Sequence, residues 1–200
     1  MQKFDVIVFD LGGVLLDISG VQAILDWRNN QESLPEFWLK WINSPAVRAF
    51  ESGQMDEDTF IKNIITEFKL PIDYQTFKQS YSGWIKGMFS GVAELLKQLK
   101  PQYQLACLTN TNTLHWQEVV NTGVIDLIDT PFVSFEMGEV KPEVSIYQIM
   151  LAQLNRSPDR VLFLDDNQIN VDAATACGIC AYRVVGFEQV KQTLIELNVL

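Results

Sequence analysis

Asp10, Thr109 with Asn110, Lys141, and the pair Asp165-Asp166 carry side chains suited to moving a phosphoryl group. Such a reaction asks for a nucleophile, a divalent cation, and cationic or N–H donors around the transferred phosphoryl unit, because little remains beyond positioning and charge neutralisation. The four clusters supply those types. They read Phe-Asp-Leu-Gly-Gly-Val-Leu, Thr-Asn-Thr-Asn, Gly-Glu-Val-Lys-Pro-Glu and Phe-Leu-Asp-Asp-Asn along the chain. Taken singly, three of them have a bland reading. An Asp shortly before Gly-Gly is often only a turn, Thr109-Asn110 can simply end a strand, and Lys141-Pro142 can open a solvated helix, since Pro suits the first helical position. Asp165-Asp166 resists such treatment, because adjacent carboxylates at a buried strand end repel each other unless a cation lies nearby.

The elements that must position these residues follow from the apolar pattern. Val6-Ile7-Val8-Phe9 is a continuous apolar run closed by an acidic residue, the pattern of a strand buried on both faces. Similar runs stand at 105–108, 161–164 and 179–185, with a weaker one at 132–135. Helical spacing separates them, as in Val92, Leu95, Leu96 and Leu99, then Ile146, Tyr147, Met150, Leu151 and Leu154. This alternation predicts an α/β fold, a Rossmann-like open parallel sheet with helices on both faces and its chemistry at the carboxyl ends of the strands.

Residues 18–88 interrupt the alternation with helical spacing alone (Phe60, Ile61, Ile64, Ile65 and Phe68; then Tyr74, Phe77, Tyr81 and Trp84). They are expected to form a helical insertion after the first strand, leaving 1–17 and 89–200 as the core. Pro35, Pro45, Gly53 and Pro71 separate its segments, and Asp56, Glu57 and Asp58 favour a helix start. Its aromatics, Trp27, Phe37, Trp38, Trp41, Phe50 and Trp84, are expected to fill a small core, with one or two facing a ligand.

A 48% apolar, 20% charged composition fits a folded chain of one domain or a core plus insertion. The formal charge of −10, with no basic cluster, disfavours nucleic acid as a partner. The four-residue run at Val6 is too short for a membrane span or a secretory signal, so a cytoplasmic protein is expected. Three cysteines suit a reducing compartment. In Cys177-Gly178-Ile179-Cys180 the helix precedes the strand, the reverse of a redox motif, and Gly178 reads as a helix cap. No motif specifies an oligomeric state.

Together, in this order, the four clusters resemble the motifs of the haloacid dehalogenase superfamily, with 18–88 corresponding to its helical cap. The match runs from Val6 to about Val185. Within the superfamily the motif residues look like a bacterial sugar-phosphatase branch acting on substrates such as glucose 1-phosphate. The resemblance implies Mg²⁺ as cofactor and a small phosphorylated metabolite as substrate. Asp10 would be the nucleophile, and the metal would be held by Asp10, Asp166 and the main-chain carbonyl of Gly12. Asp165 would orient a water on the metal. Thr109, the N–H of Asn110, and Lys141 would hold the phosphate, with Asn112 a further candidate for touching substrate. Asn170 matches a position that is often acidic, and the lone His115 is more naturally a packing residue.

One departure stands out. Phosphatases of this superfamily usually carry a second Asp two residues after the nucleophile, as general acid and base, where this chain has Gly12. That step, commonly worth ~10²–10⁴-fold, has no evident owner, which favours leaving groups that need little protonation, such as an anomeric oxygen or a phenol. A metal-independent 2-haloacid dehalogenase also lacks the second Asp but leaves Asp165-Asp166 unneutralised. A silent binding module would have no use for the retained set.

Overall fold

A computed structural model describes residues 3–27 and 33–200. Strand β1 (Val6–Phe9) leads through a tight turn into a two-residue strand, β2 (Leu16–Asp17). Helices α1 (Gln22–Trp27), α2 (Leu34–Asn43), α3 (Pro45–Glu51), α4 (Glu57–Glu67) and α5 (Tyr74–Ser82) follow, then a second two-residue strand, β3 (Gly87–Met88). The rest of the chain forms α6 (Val92–Leu99), β4 (Gln104–Thr109), α7 (Thr113–Asn121), β5 (Thr130–Val133), α8 (Ser134–Met137) and α9 (Val144–Leu154). It ends with β6 (Val161–Asp165), α10 (Gln168–Ala176), β7 (Cys180–Arg183) and α11 (Phe187–Glu196).

The main sheet is parallel throughout, in the order β5-β4-β1-β6-β7. Its central strand is β1, where all four residues are fully buried and Phe9 pairs with both Cys107 and Leu164. Alternate side chains serve opposite faces. Ile7, Phe9, Leu105 and Leu162 join α6 and α11 in one apolar cluster, while Val6, Val8, Ala106 and Phe163 join α9 and α10 in another. The chain builds outward from β1 to β4 and β5 on one side, then crosses back to β6 and β7. Strand order therefore reverses between β1 and β6, and the crevice at their carboxyl ends is where such sheets bind ligands.

Two strands differ from their apolar runs. The segment expected at 132–135 is β5 at 130–133, because Ser134 and Phe135 already belong to α8. The run at 179–185 narrows to β7, since Ile179 donates back to Ala174 and completes the end of α10 around Gly178, at φ +84°.

Helices α1 to α5 enclose a separate apolar cluster containing Phe37, Trp41, Phe50, Phe60, Phe77 and Trp84, with Trp27 and Trp38 partly buried against it. Side chains at the helix starts explain the segmentation: Ser33 and Glu36 make a reciprocal capping box on α2, while Ser44, Asp56 and Asp73 cap α3, α4 and α5. Residues 28–32 of the expected insertion lie outside the described residues. The chain leaves and re-enters the core through β2 and β3, which pair antiparallel at Leu16 with Met88 and Asp17 with Gly87. The helical layer meets the core at α3 and at α5, which lies against α7. A side chain at Gly53 (φ +72°) would stand 2.5 Å from the Phe135 carbonyl, and Arg48 pairs with Glu143 at 2.5 Å. No described helix is long and apolar enough to cross a membrane.

Candidate active site

Asp10 follows β1 directly, and its N–H donates to the Leu164 carbonyl at 2.8 Å. The turn after it is closed by Gly13 N–H on the Leu16 carbonyl and by the Leu15 and Leu16 N–H groups on the Leu11 carbonyl. These bonds leave the Gly12 carbonyl out. Gly13 has φ +71°, and a Cβ there would lie 2.6 Å from Asp166 Oδ2, so only glycine lets the turn pass beneath that carboxylate.

Asp165 ends β6 fully buried. It accepts from Asn167 N–H at 2.8 Å, from Asn170 Nδ2 at 3.0 and 3.1 Å, and from Lys141 Nζ at 2.7 Å. Lys141 Nζ also lies 2.9 Å from Asp10 Oδ1. Lysine 141 is therefore not the solvated helix start that Lys-Pro can signal; it is buried between two carboxylates. Burial opposes its charge, but Asp10 and Asp165 outweigh that and raise its pKa.

One ammonium faces three carboxylates whose oxygens lie within 4.8 Å of one another. The imbalance appears in the proton affinities. Burial, opposed by Lys141 and reinforced by the Asp165 charge, pushes Asp10 up to about 6. Burial and the charges of Asp10 and Asp165 push Asp166 up to about 7 against the pull of Lys141. No other described residue donates to the Asp166 side chain, whereas both oxygens of Asp165 are used by protein donors. Asp10 and Asp166, with Gly12 beside them among the cavity-lining residues, thus fit a small divalent cation. Asp165 instead anchors Lys141, and its expected role toward a water on the metal has little free oxygen to work with. Asn170 is accounted for as well, as the clamp on Asp165.

Thr109, buried at the end of β4, borders the cavity beside Asn110 and Thr111. The Asn110 side chain is committed to the Lys141 main chain: Nδ2 donates to its carbonyl at 3.0 Å and Oδ1 accepts from its N–H at 2.8 Å. What Asn110 can offer an anion is therefore its own N–H. Asn112 corrects the expectation that it touches substrate. It is fully buried and absent from the cavity wall. Its Oδ1 caps α7 through the Leu114 and His115 N–H groups, and its Nδ2 donates to the Tyr81 hydroxyl at 2.8 Å. His115 packs against Tyr81, with Nε2 2.7 Å from the Tyr81 carbonyl; burial lowers its pKa to about 4 and keeps it neutral.

These groups floor a cavity of about 580 Å³ whose roof, from the helical layer, is mostly apolar, with Leu34, Trp38, Trp41 and Trp84. An apolar enclosure around a few convergent polar groups is the usual form of a small-molecule site. Two polar groups of that layer were not anticipated, Glu51 at the end of α3 and Tyr81 in α5. Burial raises Glu51 to about 8, with Lys141 and Arg48 opposing and Asp10 reinforcing. Burial and the nearby Glu51 charge keep Tyr81 well above its ordinary range. Nothing local marks Glu51, a charged residue at a helix end; the one available signal was Gly53, which flags a close backbone approach two residues later.

An open sheet with this reversal, carrying carboxylates at β1 and β6 and a lysine between them, defines a hydrolase class. The chain belongs to the haloacid dehalogenase-like hydrolases, whose family model matches residues 4–178. It is 24% identical over 180 residues to the D-ribitol-5-phosphate phosphatase of Bacteroides thetaiotaomicron, spanning 86% of this chain and 87% of that protein. It is 27% identical over 200 residues to the phosphoglycolate phosphatase of Haemophilus influenzae, spanning 92% and 85%. Among solved structures, a haloacid dehalogenase family enzyme of Bacteroides thetaiotaomicron, in complex with magnesium and inorganic phosphate, superposes with a TM-score of 0.72 at 22% identity, covering 90% of this chain and 93% of that one.

Proposed function

We propose that this protein is a Mg²⁺-dependent phosphatase that hydrolyses a small phosphorylated metabolite through an aspartyl phosphate on Asp10. The observation that carries the reading is the excess of carboxylate over cation at the sheet switch point, where Asp10 and Asp166 face the cavity with raised proton affinity. The phosphatase relatives support it. Bound Mg²⁺, held by Asp10, Asp166 and the Gly12 carbonyl, would neutralise these carboxylates and withdraw charge from the phosphoryl group. Thr109 hydroxyl, Asn110 N–H and Lys141 Nζ hold the phosphoryl oxygens in line with the Asp10 oxygen not facing the lysine. Asp165 keeps the lysine aimed. The aromatic roof excludes water and shapes the metabolite site. A metal-independent dehalogenase leaves Asp166 unneutralised, its carboxyl lining the cavity with no donor from another described residue.

The test is phosphate release from a panel including D-ribitol 5-phosphate, phosphoglycolate and glucose 1-phosphate, with Mg²⁺ and with a chelator. Turnover is expected only with Mg²⁺, and Asp10→Asn is expected to abolish it. Full activity in that variant, or turnover indifferent to chelation, overturns the reading.

A further inference from the structure

Gly12 leaves the position two residues after the nucleophile without a side chain, so no proton donor to the leaving group comes from the turn that follows Asp10. The described cavity wall contains three acidic side chains, Asp10, Asp166 and Glu51. Asp10 is committed to attack, and Asp166 fits the cation with it. Glu51 enters from the opposite side, in the helical layer, and its carboxyl forms no hydrogen bond or ion pair with any described residue. Two contacts on either side of it fix its helix end against the core: the Gly53 turn under the Phe135 carbonyl, and Arg48 on Glu143, two residues beyond Lys141. A carboxyl that lines the same cavity as Asp10, Thr109 and Lys141, and is carried by the helical layer rather than by the sheet that carries Asp10, is available to a leaving oxygen that departs away from Asp10.

We propose, resting on the phosphatase reading, that Glu51 is the catalytic acid and base that Gly12 lacks. As the phosphorus bond to Asp10 forms and the bond to the leaving oxygen breaks, the Glu51 carboxyl gives its proton to that oxygen, releasing the alcohol. The resulting carboxylate then takes a proton from the water that attacks phosphorus. The Asp10–phosphorus bond breaks, inorganic phosphate leaves, and Asp10 and the protonated Glu51 are restored. Burial favours the protonated starting state against the pull of Lys141 on the floor, with the Asp10 charge reinforcing it and Arg48 of its own helix opposing; Tyr81 of α5 faces the same carboxyl. With this donor in place, alkyl phosphates as well as aryl phosphates become competent substrates, which replaces the restriction expected from Gly12 alone.

The experiment compares wild type with Glu51→Gln on para-nitrophenyl phosphate and on D-ribitol 5-phosphate, in Mg²⁺, by rapid mixing and at steady state. Nitrophenolate departs without a proton, so the variant should keep a rapid burst of about one equivalent per enzyme and then slow, with phosphorylated Asp10 accumulating and visible by mass spectrometry. On the alkyl phosphate it should lose about 10²–10⁴-fold in kcat/KM and show no burst. The burst also proves the variant folded. Equal losses on both substrates without an accumulated intermediate, or no loss on either, overturn the role of Glu51 alone. A wild type inactive on a broad phosphate panel, para-nitrophenyl phosphate included, overturns the phosphatase reading and this inference with it.

Discussion

The floor and the roof of the cavity are built on opposite principles. On the floor, polar groups are over-determined: Asp165 accepts four hydrogen bonds from protein donors, and Lys141 is held through both its ammonium and its main chain. The roof is an aromatic stack, with Phe50 on Phe60 at 4.2 Å and Trp41 beside Trp84 at 5.0 Å, carrying few polar groups into the cavity. Charge fixes geometry below, and packing fixes it above. The lesson is that chemistry can be held constant by hydrogen bonds while the shape of the ligand space is set by side chains that make none.

That contrast can be broken from either side. Lys141→Met should have the largest effect, since it strips the buried carboxylates of their cation. Turnover should fall by about 10²–10³-fold, and metal-free stability by about 3–5 kcal/mol in denaturant titration. Retention of even half the wild-type rate would mean that the floor is not electrostatically organised. Phe60→Ala acts on the roof, at a residue 1% exposed that lies off the cavity wall. It should cost about 3–5 kcal/mol of stability, while kcat on para-nitrophenyl phosphate below the melting temperature stays within a few-fold. A turnover loss matching that of the lysine variant would erase the distinction.

The smallest effect sharpens the electrostatic half. Asp10 at about 6 and Asp166 at about 7 bind protons more tightly when folded than at their ordinary 3.8. Their contribution to metal-free stability is therefore complete below about pH 4 and is lost as pH rises through about 6 to 7. A cation competes with those protons, so Mg²⁺ should raise Tm more at about pH 8 than at about pH 5. At a hundredfold excess over Kd the stabilisation is about 2.7 kcal/mol. Equal shifts at both pH values would mean that the ion binds elsewhere.

The same division explains what could be read from the sequence. Strand ends announce themselves, because an apolar run stopped by Asp10, Thr109 or Asp165 leaves both the strand and its polar, cavity-side end visible in a few consecutive letters. Strands β2 and β3, two residues each, are too short to leave a pattern. Asn112 looked like a ligand because it neighbours Thr109 and Asn110 in the chain; its actual partners, the start of α7 and the hydroxyl of Tyr81, include a residue 31 positions away. Glu51 was invisible for the complementary reason. Its place on the cavity wall comes from the docking of α3 on the core, and a charged residue at a helix end ordinarily points to solvent.

The two hydrogen bonds between the Asn110 amide and the Lys141 main chain act as an added rung of sheet between segments that never pair as strands. The Lys141 backbone therefore moves with the Asn110 loop, while its ammonium is held separately by Asp10 and Asp165. On the proposed reading, a phosphate that meets the Asn110 N–H meets a Lys141 whose main chain is already tied to the same loop.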